Sequence, residues 1–203
     1  MPIKQKVVDR GYAASLKEME NLGHWRTKVG LPAGGTLGAP GKSKKDQAPA
    51  SSMSQIIKIA AAHEFGATIK HPGGTAYRTF AVGGTVKAIF VSNKEAKPFD
   101  RRTAAHTIEI PERPFMRQTF DNNIAALQEF KKVRIIAVTR GKEDAETAIK
   151  KVGEFMLNKT KMTIREGNFA PLSAATIRAK GSTKPLIDTA QMINSLQHIE
   201  EYR

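Results

Sequence analysis

The sequence predicts an α+β fold: one compact domain with several helices packed on a small antiparallel sheet, plus a projecting loop and a β-hairpin insertion. Three observations carry this. Apolar residues recur at spacings of three and four in several long segments, the mark of helices with one buried face. A Gly-Gly pair at 83–84 divides two short strand-like runs, the mark of a tight hairpin. No repeat recurs at a solenoid period. A chain of 203 residues suits a single domain of 1–203.

The first helix is expected over 9–22, with Tyr12, Leu16 and Met19 on one face, Asp9 at the start and Gly23 at the end. Residues 28–31 form a short strand at best. From Pro32 to Ser52 Gly, Pro, Ser and Lys dominate, which predicts a mobile basic loop carrying Lys42, Lys44 and Lys45. A second helix runs over 54–65, ending at Gly66 in a left-handed cap. The stretch 67–109 reads as a β-rich insertion: the hairpin 79–92, then a strand over 106–110 stopped by Pro111. Pro114 opens a helix over 115–132 with Phe120, Ile124, Leu127 and Phe130 along one side. Residues 133–139 either extend it or form a strand; periodicity does not decide. Helices follow over 142–165, over 173–180 closed by Gly181, and over 188–196, and a strand over 198–203.

Composition excludes several function classes. Zero cysteines leave no disulfide scaffold, thiolate metal site or cysteine nucleophile. The start lacks the apolar core of a secretory signal, and no stretch approaches the length of a membrane span, so no membrane partner is expected. His63-Glu64 is half of a zinc-protease signature, but position 67 is Ala rather than the second His. The Gly pairs fit no phosphate loop, and Asn158-Lys159-Thr160, a glycosylation sequon, falls inside a helix. No catalytic constellation stands out, and neither an enzyme nor a cofactor is expected.

What remains is charge. Lys and Arg number 33 against 19 Asp and Glu, a formal net charge of +14. Such an excess favours a polyanionic neighbour. The candidate DNA-facing residues are Lys42, Lys44, Lys45, Arg101, Arg102, Lys131, Lys132 and Arg134, the last three taken to lie at a helix end. Aromatics make up 6% of the chain and no base-reading motif is visible, so contact would be with phosphate alone.

Three segments carry a family resemblance. Residues 59–66 (IAAAHEFG), 110–117 (IPERPFMR) and 170–192, with its PLS, KG and PLIDT elements, occur in an order that resembles the neck or tail-completion proteins of tailed bacteriophages, also described as virion morphogenesis or minor tail proteins. Where that family usually has Gly after Asp-Thr, this chain has Ala190, and the 67–109 insertion departs from the family's usual spacing. The resemblance implies fold and assembly determinants at Glu64, Phe65, Gly66, Pro111, Arg113, Pro114, Phe115, Arg117, Pro185, Asp188 and Thr189. By chemistry, Phe115 anchors in the core while a flanking guanidinium, Arg113 or Arg117, pairs with a carboxylate such as Glu64, and Asp188-Thr189 caps a helix. The resemblance further implies a homo-oligomeric ring in the virion neck, assembled in the host cytoplasm, contacting other neck, connector and tail proteins around packaged DNA. The alternatives are a non-specific nucleic-acid-binding protein and, further off, a nuclease or peptidase.

Overall fold

The computed structural model describes residues 11–40, 52–92 and 94–203. Among these are six helices and seven short strands, five of the strands and four of the helices in consecutive runs, which confirms the α+β class. The chain divides into two compact units, one built from the described residues through Phe65 with Arg113–Arg203, the other from Gly66–Glu112.

In the first unit, helix α1 (Tyr12–His24) runs past Gly23 directly into strand β1 (Trp25–Gly30), which is longer than the sequence suggested. Asp9, the expected cap, lies outside the described residues. Strand β1 pairs antiparallel with β7 (Gln197–Tyr202), Trp25 opposite Tyr202 and Gly30 opposite Gln197, which joins the two ends of the unit. Helices α2 (Met53–Phe65), α3 (Phe115–Thr139) and α4 (Ala145–Glu166) complete its frame. The undecided residues 133–139 continue α3 as helix, and Val138 is fully buried. Asp144, rather than Lys142, sets the start of α4: its carboxylate accepts the Thr147 N–H at 2.7 Å. Gly153 lies where α4 meets the β1–β7 sheet; a Cβ there would collide with the Thr27 hydroxyl and sit 3.0 Å from His198 Nδ1, so only glycine lets the layers approach this closely. The sequon residue Thr160 is buried in α4 with its hydroxyl donating to the Met156 carbonyl.

The core gathers Met53, Ile56 and Ala60 of α2, Phe115 of α3, Ile164 of α4, Leu186, and Met192, Ile193 and Leu196 around the short helix α6 (Gln191–Ser195). The stripe on α3 is only partly used: Phe120 and Ile124 remain nearly half exposed. Helix α5 (Ala174–Lys180) is capped by Ser173 and ended by left-handed Gly181, as its sequence predicts.

Two expectations are corrected here. The loop expected to be mobile over 32–52 is fastened in its first part. Gly38 N–H donates to Ser195 Oγ at 2.8 Å, Asn194 Nδ2 to the Ala39 carbonyl at 2.9 Å and Gln197 Nε2 to the Thr36 carbonyl at 2.6 Å. Polar side chains at the far end of the sequence satisfy its backbone, a signal that local composition does not carry. Residues 41–51 lie outside the described residues. Second, the N-cap of α6 is neither Asp188 nor Thr189. Ala190 occupies the N-cap position at φ +56°, without a side-chain cap, and Thr189 Oγ1 reaches only the Gln191 N–H at 3.4 Å. A left-handed backbone at position 190 costs an L side chain about 1 kcal/mol. Ala190→Gly is therefore expected to stabilise the protein by about 0.5–1 kcal/mol, measured as a raised denaturation midpoint at unchanged slope.

The second unit holds two small antiparallel sheets. Strand β2 (Ala67–His71), absent from the sequence reading, pairs with β6 (His106–Ile110). Strands β3 (Ala76–Val82) and β4 (Thr85–Phe90) form the expected hairpin, with Gly83 at φ +56° and Gly84 at φ +77°, and the two-residue β5 (Arg101–Arg102) pairs with the other side of β3.

Candidate functional site: an arginine–glutamate knot

Helix α2 ends at Phe65 and helix α3 begins at Phe115, and their facing ends satisfy each other. Helix termini leave N–H and C=O groups without intrahelical partners. The N-cap of α3 is Pro114, which offers no side-chain acceptor. Glu64 supplies one from α2: its carboxylate accepts the backbone N–H of Met116 at 2.9 Å and of Arg117 at 3.0 Å. Its negative charge lies at the positive end of the α3 dipole. Arg117 returns the contact, donating from Nε to the Glu64 carboxylate at 3.2 Å and from Nη2 to the Glu64 main-chain carbonyl at 2.7 Å, a group α2 leaves free. Its guanidinium also lies 5.5 Å from the centre of the Phe65 ring. Gly66 follows at φ +70°, the left-handed conformation expected after α2.

Of the two arginines offered as the carboxylate's partner, Arg117 is the one. Arg113 turns elsewhere. It is 3% exposed, with Nε donating to the Ala170 carbonyl at 2.8 Å and Nη2 to the Pro171 carbonyl at 3.2 Å. It thus fixes the chain entering α5, while its own N–H donates to the His63 carbonyl at 2.6 Å. Burial holds Arg113 below the ordinary guanidinium value. Phe115, between the two arginines, is 2% exposed in the core. Pro185 forms a three-residue turn, its carbonyl accepting the Ile187 N–H at 2.7 Å with Leu186 at φ +61° and buried. Asp188 provides the negative charge that favours protonated Lys180, whose pKa burial lowers first and Arg113 lowers further. The three segments of the resemblance therefore meet at one place, and Arg113 and Glu64 join them through main-chain groups.

His63 sits in this knot without a metal-site neighbour; Arg113 Nη1 donates to its Nδ1 at 3.5 Å. Desolvation, then the positive charges of Arg113 and Lys180, push its pKa down to about 4. The unfolded chain takes up a proton near pH 6.5 that the folded chain refuses until about 4. Stability from neutral His63 is thus complete above pH 6.5 and lost progressively as pH falls through 4. Between pH 7 and 4 the wild type is expected to lose on the order of 2 kcal/mol more than His63→Gln, allowing for solvent screening at a partly exposed ring, as chemical denaturation across that range would measure.

The basic candidates are dispersed. Lys132 and Arg134 lie within α3 rather than at its end. Lys132 pairs with Glu129 at 2.6 Å, and Arg134 pairs with Glu143 at 3.3 Å, a carboxylate shared with Lys151. Lys131 borders an apolar cleft of about 510 Å³ between β1, α3 and α4, walled by Trp25, Val29, Phe120, Leu127 and Met156. Arg101 and Arg102 are exposed on β5, Arg102 donating to the Gly74 carbonyl at 2.8 Å. Lys42, Lys44 and Lys45 lie outside the described residues. Sequence reasoning missed the Ala170 and Pro171 carbonyls, because a main-chain acceptor has no residue-type signature. Among the described residues no helix is long and apolar enough to cross a membrane, and no group of three or more His, Asp or Glu could hold a metal ion. In comparison with known proteins, the chain matches no family model, no curated protein and no solved structure.

Proposed function

We propose that this chain is a structural protein of a tailed-bacteriophage virion. Copies form a ring at the head–tail junction or the top of the tail, completing the tail and letting it join the head around the DNA passage. One observation supports this reading above the others: the segments that resemble the neck and tail-completion proteins, distant in sequence, are tied together by Glu64, Arg113 and Arg117. Their polar groups are engaged in holding main chain, a use suited to a rigid assembly subunit rather than to acid–base chemistry. Particles made without the chain are expected to accumulate as separate heads and tails, with joining restored by adding the purified protein. Normal joined particles in its absence would overturn the reading.

The net charge of +14 supports a second reading, non-specific nucleic-acid binding. That reading requires tight binding of free duplex that falls roughly a thousandfold or more between 50 and 200 mM salt. The ring reading expects weak binding by the free chain, since Lys132 and Arg134 already face carboxylates.

A further inference from the structure

The unit Gly66–Glu112 lacks a core of its own: among its described residues Ala76 alone is a buried hydrophobic. Its three-stranded sheet has the order β4-β3-β5, so β4 is an edge. The Val91 N–H donates to the Ala76 carbonyl at 2.9 Å. Backbone direction alternates along a strand, so Val86, Ala88 and Phe90 turn their N–H and C=O groups away from β3. Their side chains share one face with Tyr77, Thr79 and Ala81, without a charge on either strand, and Val86 and Phe90 are 72% and 71% exposed. The opposite face is dressed differently, Arg78 donating to both oxygens of Asp100 at 2.7 and 2.8 Å and lying against the Phe99 ring. Edge strands in stable monomers are blunted by proline, bulges or several charges. β4 has no proline, no bulge in its pairing with β3, and a single charged residue, Lys87.

We propose that β4 is an interface that pairs antiparallel with β4 of a second copy, about a two-fold axis at Ala88. An antiparallel edge is self-complementary in donors and acceptors when rotated onto itself. Centred on Ala88, the pairing sets Val86 opposite Phe90 and Lys87 opposite Ile89; centred one residue earlier, it would oppose the two Lys87 residues. The favoured register therefore avoids like charges and extends the uncharged β3–β4 face across four strands, with Arg101, opposite Tyr77 on β5, at each margin. On β4 that face offers a phosphate-bearing partner no cation, Arg101 lying on β5 beyond β3, whereas a second copy brings the same face and the same edge. This contact is isologous and gives dimers, distinct from the head-to-tail contacts that close a ring, so it does not depend on the ring reading.

The test uses charge exchange at Ala88 in the full-length chain. Light scattering and sedimentation should show the wild type dimerising, with Ala88→Lys and Ala88→Glu each weakening self-association about fivefold or more. An equimolar mixture of the two variants should restore it, which a folding defect could not do. Because the chain has no cysteine, Ala88→Cys should also give a disulfide-linked dimer on oxidation, while Thr79→Cys on the inner strand should not. A wild type monomeric at about 100 μM, variants that dimerise unchanged, or a mixture that does not recover would each overturn the proposal. None of these outcomes bears on whether heads and tails join without the protein.

Discussion

Glu64→Ala is expected to lower stability by about 3 kcal/mol, seen as a fall of roughly 6–12 °C in Tm by calorimetry. The side chain is 6% exposed, and its carboxylate receives two backbone N–H groups and one guanidinium. Alanine leaves the Met116 and Arg117 N–H groups without this acceptor in a place water hardly reaches, and removes a carboxylate that faces Arg117. A charged hydrogen bond contributes about 1.5–3 kcal/mol, and these share one group, so they do not add in full. Arg117 is half exposed and water compensates it, which keeps the loss below that of a fully buried pair. Glu64→Gln retains one acceptor oxygen and should cost about half as much. Equal losses in the two variants would show that packing, and not the acceptor, is what Glu64 provides.

Phe115→Ala is expected to cost about 4 kcal/mol, a Tm fall of roughly 8–16 °C. The ring is 2% exposed in the cluster that includes Met53, Ile56 and Ala60 of α2, Ile164 of α4 and Leu186. Removing it loses its transfer free energy and leaves a cavity that residues from separate elements must collapse to fill. Phe115→Leu should recover more than half the loss, since it keeps most of the apolar volume. Phe120→Ala, on the same helix but nearly half exposed, should cost under about 1.5 kcal/mol. A similar loss at 115 and 120 would mean that the core is elsewhere.

Much of the fold was legible where a residue type has one physical use. Gly83-Gly84 takes positive φ at both turn positions, Gly181 takes it after α5, and Ser173 caps α5 through Oγ. Phe115 was legible as a core anchor because an aromatic between two arginines has one apolar destination. Strand β2 was not, since ATIKH has no clear alternation and its partner β6 lies far along the chain. Residues 133–139 were undecidable by period; burial of Val138 and continuity with α3 settle them as helix. The fastening of residues 32–40 depends on Asn194, Ser195 and Gln197, and the role of Arg113 on two carbonyls. Such long-range, main-chain partners leave no trace in local sequence.

The candidate site was legible as a set of segments and not as a mechanism of holding them. Glu64 was named with two possible arginines, and geometry separates them: Arg117 closes the α2–α3 junction and Arg113 secures the chain before α5. The basic residues carried the strongest compositional signal and the least positional content. All three of those placed on α3 face carboxylates or an apolar cleft, as amphipathic cations often do.

The most direct measurement of the proposed role is an electron-microscopic image of whole particles in which this chain carries a small terminal label. The account predicts label density arranged as a ring at the head–tail junction or the top of the tail. Particles without label, confirmed by mass spectrometry to lack the chain, would contradict it.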